Sequence, residues 1–526
     1  MSPSLRFCLS LSIAAWSGYL SLSQEMLWIR AMAFATAGRP HAFAYVLGFF
    51  LVGIAAGSLA SERLSAKGRL DPLIFVAGMF AVSALLNHLL LPGVANALLA
   101  AGGVGYYAAY AAIALTAAAL GGVLPLAADA GRPQGLSESA TGRYVSWIYV
   151  ANIVGSTAGP LVTGFVLLDR FSLTDVQALL TIGGLVPAAI LSAVTLRGGL
   201  RLVTPVTFVA ACAAVMFAHD GDSKAIFHAL QFKNEAAKHQ PYRHLLENRS
   251  GVIASVPEAG KPDVLYGGGI YDGRFNADPR DESNGISRAY MLAALHPRPT
   301  KILEIGLASA SWTRVLADHA DVASIDVVEI NPGYPQLIAH YPEIASVLSS
   351  PKVTLHVDDG RRWLKNHPDR QFDFILMNTT FHWRSNISAL VSREFLQLAK
   401  SRLAPGGVLY YNTTGSREIV KTALSEFKHV VSYHTFIAAS DAPFTVSDEA
   451  RRASMRRFAR DGRQTFSDGE PAFEHIATRP LIAARLEDYA DVGVITDDNM
   501  LTEYKRQLIE PTMTWASVFA AANRKH

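Results

Sequence analysis

Two cysteines in 526 residues exclude a disulfide framework and any cysteine-based zinc or iron–sulfur centre. Both, Cys8 and Cys212, sit inside apolar stretches. Charge is scarce as well: 17% of residues are charged and 50% are hydrophobic, where a soluble protein usually carries ~25% charge. The shortage is local. Residues 1–218 hold 11 basic and 7 acidic side chains, whereas residues 219–526 hold 36 and 37. The first stretch is therefore no ordinary water-soluble domain, while the second is long enough to bury a core of its own. The second stretch in turn lacks a surplus of either sign. Without a basic stripe it is not a general nucleic-acid binder.

What fills the first stretch is apolar sequence. Runs long enough to cross a ~30 Å hydrocarbon layer recur at 7–22, 43–60, 73–91, 97–127, 144–168, 176–196 and 202–218, which predicts about seven spans. The first run has one basic residue before it, Arg6, and no small-x-small cleavage site, so it reads as a retained anchor rather than a signal peptide. Gly48, Gly53 and Gly57, and then Gly155, Gly159 and Gly164, predict close helix packing. A substrate path is the rival reading, resting on Gln24, Glu25, Arg30 and Asn152 at membrane depth. Arg63, Lys67, Arg69, Arg132, Arg143, Arg197 and Arg201 outnumber Arg30, Arg39 and Arg170 on the opposite loops. The positive-inside rule then puts the amino terminus in the cytoplasm. Seven spans would leave the second half outside, in conflict with the cytosolic cofactor inferred below.

Residues 219–250 read as a polar linker containing a helix, and 251–299 as a small β-hairpin region. From residue 300 onward strand and helix alternate. Strands are predicted at 301–305, 325–330, 353–357, 372–377 and 407–411, and helices at 311–318, 361–365, 388–402 and 416–427. That pattern gives a parallel sheet with helices on both faces, and ligands of such sheets bind beyond the carboxyl ends of the strands.

The motifs sit at those ends. Strand Ile302-Leu303-Glu304-Ile305 runs into Gly306-Leu307-Ala308-Ser309-Ala310-Ser311, small residues that permit close backbone approach to a ligand. The next strand ends in Glu329, whose carboxylate can accept both hydroxyls of a ribose. After the third strand comes Asp358-Asp359-Gly360, where Asp359 can accept from an adenine amino group. Loop, acid and acid in this order point to an adenosine-containing ligand. The alternative for Glu329 and Asp359 is helix capping or solvated loop charge.

On these residues the stretch from Gly306 to Gly407 resembles the class I methyltransferase fold, and in particular its spermidine-synthase branch. Ile270-Tyr271-Asp272-Gly273, Asp281-Glu282 and Leu403-Ala404-Pro405-Gly406-Gly407 resemble that branch too. Fusion to a multi-span domain resembles bacterial membrane-bound members described as fused transporter/spermidine synthase proteins. Ser17-Gly18-Tyr19 through Arg30, and Thr496-Asp497-Asp498-Asn499 with Glu503, loosely match their terminal patterns. The fold expected is thus a multi-span α-helical membrane domain, residues 1–218, followed by an α/β Rossmann-like domain, residues 300–526.

The resemblance implies transfer of an aminopropyl group from decarboxylated S-adenosylmethionine to a diamine, with Glu329 and Asp359 holding the nucleoside and Gly306, Ala308 and Ser309 lining the donor loop. The chain departs from the family at three places. An Asp of the family's loop is Ser309 here. The family's catalytic Asp is Asn378, at the head of Asn378-Thr379-Thr380-Phe381-His382-Trp383-Arg384. A Tyr-Gln pair is replaced by Ser287-Arg288.

Asn378 keeps a carboxylate's shape and one acceptor but not its charge. Two acids lost, with Arg288 and Arg384 gained, make the groove less attractive to a dication and better suited to an anionic or neutral acceptor. His382 is the candidate base near pH 7, its alternative being an ordinary loop histidine; Trp383 either packs or stacks on substrate. The expectation is a membrane-anchored transferase using S-adenosylmethionine or its decarboxylated form to move an aminopropyl or other alkyl group, with Asn378 and His382 bordering a small acceptor, polyamine or other. Its rival is a non-catalytic nucleoside sensor for the membrane bundle. The partners implied are a bilayer of the bacterial inner membrane and the small acceptor, with a homodimer left open and nucleic acid excluded. No metal site is expected: Asp497 and Asp498 have no third ligand at suitable spacing. The arginine run 451–460 reads as a solvated helix face, with anionic lipid contact as its rival.

Overall fold

The computed structural model describes residues 3–65, 71–132, 137–219, 221–378 and 380–504. Lys67, Arg69 and Thr379, named above, lie outside these. The chain divides into two compact units: Met1–Ala37, His41–Pro241 and Glu247–Gly251 form the first, and Gly38–Pro40, Tyr242–Leu246 and Val252–His526 the second.

The first unit is helical: α1 (Pro3–Ala35), α2 (His41–Ser65), α3 (Pro72–Ala101), α4 (Gly105–Gly121), α5 (Val123–Gly131), α6 (Glu138–Val162), α7 (Leu168–Arg170), α8 (Leu173–Thr195) and α9 (Leu200–Ala218). Local chemistry sets several ends. Asp71 caps α3 by accepting from the Leu73 amide, and Ser172 with Asp175 forms a capping box on α8. Six segments are long and apolar enough to cross a membrane, against seven runs in the sequence reading. The difference lies in Pro72–Gly131, a single stretch of 60 residues. It is interrupted after Ala101, where Gly102 takes φ +55° and opens a 3-10 turn, Gly102–Val104. Helices α3 and α4 on either side of that turn pack against each other.

Small residues bring the helices together as expected. A Cβ on Gly53 or Gly57 would lie 2.2 or 2.1 Å from the carbonyl oxygens of Ala114 or Ala118, and one on Gly155 would lie 1.7 Å from that of Ala15. Gly48 has no such neighbour within 4 Å, so close packing does not account for it. Buried polar side chains link helices: Gln24 donates to Ser83 at 3.1 Å, Asn87 to the Gln177 carbonyl at 3.0 Å, and Asn152 to the Ala14 carbonyl at 3.1 Å. Arg30 pairs not with Glu25 but with Glu247 at 3.7 Å, and donates to the carbonyls of Asn248 and Gly251. The stretch read as a linker joins this unit up to Pro241 and carries helix Lys224–Phe232.

In the second unit the expected hairpin is a four-stranded antiparallel sheet, β1 (His244–Asn248), β2 (Gly251–Glu258), β3 (Lys261–Gly267) and β4 (Ile270–Arg274), in that order. The main sheet has eight strands. Five are parallel: β5 (Lys301–Ile305), β6 (Ser324–Glu329), β7 (Val353–Val357), β8 (Phe372–Met377) and β9 (Leu403–Asn412). Antiparallel strands β10 (His429–Tyr433) and β11 (Phe436–Ser440) and the short Ile482–Ala483 complete it. The order is Ile482–Ala483, β10, β11, β9, β8, β5, β6, β7. Strand order reverses between β5 and β8, and that switch point is where such sheets open a ligand crevice.

Alternation along the strands loads both faces. Ile302, Val327, Phe374 and Tyr410 enter one core, and Leu303, Val328, Ile375 and Tyr411 the other. The helix expected over 388–402 is two, Ser388–Val391 and Arg393–Lys400, because Ser392 leaves helical geometry to cap the second. The arginine run does not form a free basic face. Arg451 is buried on the carbonyls of Ala477 and Arg479, and Arg452, Arg456, Arg457 and Arg460 pair with Glu474, Asp468, Asp321 and Asp318.

Candidate active site

The donor loop leaves β5 at Gly306 in a conformation costly for side chains: Gly306, Ala308 and Ala310 have φ of +91°, +47° and +58°. Alanine in that region carries roughly 1–2 kcal/mol that glycine avoids. The loop is held from below and from the side. The Leu307 amide donates to Glu329 Oε2 at 2.8 Å. Ser309 Oγ donates to Ser311 Oγ at 2.9 Å, and Ser311 Oγ to the Arg274 carbonyl at 2.8 Å. Ser309 thus binds its own loop and faces β4, where a Cβ on Gly273 would lie 3.4 Å from its Oγ.

Glu329 is buried at the end of β6, and its Oε1 accepts from the Asn331 amide at 2.8 Å. Burial raises its carboxyl to about 7, against the pull of the Asn331 and Leu307 amides, with Asp272 adding to the rise. Two backbone amides fix both oxygens, and each oxygen retains acceptor capacity for a hydroxyl. Beside it the apolar side chains Ile330 and Val357 are 60% and 54% exposed, an apolar surface of the kind a purine face covers. Asp359 realises the capping alternative: its Oδ1 accepts from the Arg362 amide at 2.8 Å and starts helix Gly360–Asn366. Glu329, Gly306, Ala308 and Ser309 are therefore joined in one loop-and-acid structure, while Asp359 stands at the neighbouring strand end, half-buried.

Across the switch point, half-buried Asn378 brings its backbone carbonyl within 3.5 Å of where a Gly306 Cβ would be. His382 Nδ1 and backbone amide both meet Thr414 Oγ1 at 2.9 Å, so the ring is oriented by a residue following β9. Trp383 is buried, stacked on Phe381 at 5.4 Å with the Arg39 guanidinium 5.1 Å from its centroid, which is the packing alternative.

The two arginines differ. Arg288 donates to the carbonyls of Gly285 and Asn284 and lies over the rings of Trp312 and Phe436. Its guanidinium is thus engaged by the protein's own carbonyls and rings. Arg384 donates to Thr380 Oγ1 at 2.9 Å. Ser287, the neighbour of Arg288 in sequence, bonds Glu282 and Tyr433.

Several groups were missed by sequence reasoning. Asp272, on β4, takes a short hydrogen bond from Tyr334, and burial lifts its carboxyl to about 6 against the pull of Tyr334 and Arg384. Glu304 is fully buried on β5 with no hydrogen-bond partner for either oxygen among the described residues. Burial raises it to about 8; the Thr313 side chain opposes the rise and Glu329 adds to it. An acid on a strand facing Val327's core was the available signal. The carboxyl-terminal pattern also acquires a role. Asp497 pairs with Arg361 and accepts from Ser392 Oγ at 2.7 Å, and Glu503 accepts from the amides of Asn386 and Ser388, each at 3.0 Å. Asp497 is thus a brace between Arg361 and Ser392.

The second unit is similar in sequence to known proteins. Residues 289–445 match the family of the spermine/spermidine synthase domain. A polyamine aminopropyltransferase of Streptococcus uberis is 32% identical over 160 residues, 30% of this chain and 54% of that protein. One of Mycobacterium tuberculosis is 25% identical over 327 residues, 58% of this chain and 59% of its own. The chain thus spans little more than half the length of these relatives. Among solved structures, a spermidine synthase bound to the transition-state analogue AdoDATO aligns over 42% of this chain and 80% of its own, at 16% identity and a TM-score of 0.34. Within the carboxyl-terminal unit, residues 289–445 are thus similar to the spermine/spermidine synthase domain.

Proposed function

We propose that this unit binds an adenine nucleoside donor, S-adenosylmethionine or its decarboxylated form, and transfers an aminopropyl or other alkyl group to a small acceptor, while the amino-terminal unit holds it at a bilayer. The observation that carries the reading is Glu329: a buried carboxylate fixed by two backbone amides beside a positive-φ loop, at the sheet's switch point. In the transfer, the acceptor's lone pair attacks the carbon next to the sulfonium, and the carbon–sulfur pair returns to sulfur. A neutral thioether nucleoside leaves, and the alkylated acceptor gives up a proton. His382, held by Thr414, is placed to receive it, and Asn378 borders the same space without supplying charge. Asp359 would meet the base from the next strand end.

Calorimetry on the full chain in detergent tests this. Methylthioadenosine, the uncharged fragment common to both donors, should bind, and Glu329→Ala should weaken it about 100-fold. No binding would refute the reading. Binding without turnover over a broad acceptor panel would favour the sensor, which the neutral Ser309 and Asn378 support. The donor is cytosolic, so a reporter fused after the second unit must report the cytoplasmic side; a periplasmic signal would overturn the proposal.

A further inference from the structure

Arg384 has a chemistry that the transfer reaction leaves unexplained. It sits in the loop after β8, where the spermidine synthase family carries an acid and this chain carries Asn378. Its guanidinium is half-buried, and Thr380 Oγ1 is the side-chain oxygen it meets, at 2.9 Å. No carboxylate among the described residues lies within ion-pair distance of it, although 23 such pairs form elsewhere in the chain. The nearby acid, Asp272, is engaged by Tyr334. The turn between β3 and β4 lies close to the group: a Cβ on Gly268, which has φ +60°, would lie 2.6 Å from Arg384 Nη2. Arg288, by contrast, is consumed by backbone carbonyls and aromatic rings.

A guanidinium withdrawn from water with no carboxylate at ion-pair distance is costly, and burial lowers its pKa here against the pull of Tyr334 and Asp272. A carboxylate matches its planar fork in two parallel hydrogen bonds, the strongest pairing open to it. A substrate pair made only of cations, a decarboxylated sulfonium donor and a diamine, would bring nothing to satisfy it and would be repelled.

We propose that Arg384 receives the carboxylate of a substrate, so that this site takes a carboxylate-bearing ligand rather than the all-cationic pair. This inference rests on the nucleoside-transfer reading and names the substrate class for it. The carboxylate has two sources, the donor's methionine moiety or the acceptor.

Two ligand pairs that differ by one carboxylate separate them: S-adenosylmethionine against its decarboxylated form, and ornithine against putrescine. Affinities are measured by calorimetry on the full chain, each referred to methylthioadenosine in the same protein. At least one pair should favour the carboxylate form tenfold or more. Arg384→Gln should bring that ratio near one, and Arg384→Lys, which keeps charge but loses the fork, should leave an intermediate ratio. A preference in the first pair assigns the carboxylate to the donor, and in the second to the acceptor. Ratios near or below one in both pairs, or a preference that survives Arg384→Gln, overturn the inference while leaving nucleoside binding intact. Failure of methylthioadenosine to bind the unaltered protein defeats the underlying reading and this inference with it. Should Arg384→Gln fail to bind methylthioadenosine, the lysine variant decides: an unchanged ratio there overturns the role of the fork.

Discussion

The two units bury opposite things. In the first, large apolar side chains face outward, Phe217 at 91% exposed and Leu202 at 74%, while Gln24, Asn87 and Thr181 are enclosed. In the second the apolar side chains form two cores on either side of a sheet, and its enclosed acids sit at the strand ends or face one core. The bilayer setting proposed for the first unit accounts for the difference. A helix in hydrocarbon gains nothing by hiding leucine, so its contacts are made by small residues and polar links. A sheet in water is held by apolar burial, and a buried acid there carries a penalty that a ligand can offset.

The comparison breaks most sharply at the glycines. Gly155→Ala places a methyl group against the Ala15 carbonyl, at a site with no slack. It should cost about 3 kcal/mol or more, seen as loss of the monodisperse detergent-solubilised protein. An unaltered thermal transition would refute backbone contact between α1 and α6.

The buried acids of the second unit come next. Glu304, Glu329 and Asp272 are all raised, to about 8, 7 and 6. The folded protein therefore holds protons that the unfolded chain releases above pH ~4, and stability falls as pH climbs from about 4 towards 8. Glu304→Gln should remove the largest part, on the order of a few kcal/mol at pH 8.5 and little at pH 4. Thermal midpoints of the two proteins across this range, converging at low pH and parting at high pH, check it.

A smaller effect concerns the ligand. Glu329 accepts two hydroxyls best when ionised, so methylthioadenosine affinity should rise up to tenfold per pH unit below about 7 and level off above it. A flat profile between pH 5.5 and 8 would place the sugar elsewhere. Smallest of all, Ala308→Gly relieves a positive φ at a position that is 8% exposed. It should stabilise by up to about 1 kcal/mol, read as a higher thermal midpoint.

Much of this was legible in the chain. Strands β5, β7 and β8 lie where apolar runs between turn residues put them, and Glu329 and the Gly306 loop meet as strand-end chemistry requires. What escaped depends on partners far away in sequence. Nothing near Arg288 reveals that Trp312 and Phe436 lie over its face, so two arginines of equal promise had opposite fates. The Asp272–Tyr334 pair spans 62 residues. Strands β10 and β11 pair antiparallel with each other, and β11 with β9, closing the sheet with a hairpin that strand–helix alternation does not foretell. In the sequence the apolar stretch divides at 92–96, whereas the chain breaks it at Gly102, where φ turns positive.

Glu503 has a consequence for how the protein is made. It fixes the Asn386 and Ser388 amides across 117 and 115 positions. On the ribosome those amides emerge well before the carboxylate that binds them, so the segment beside Arg384 cannot take these two hydrogen bonds until residue 503 has been made. A nascent chain released before residue 503 would leave both amides without that carboxylate.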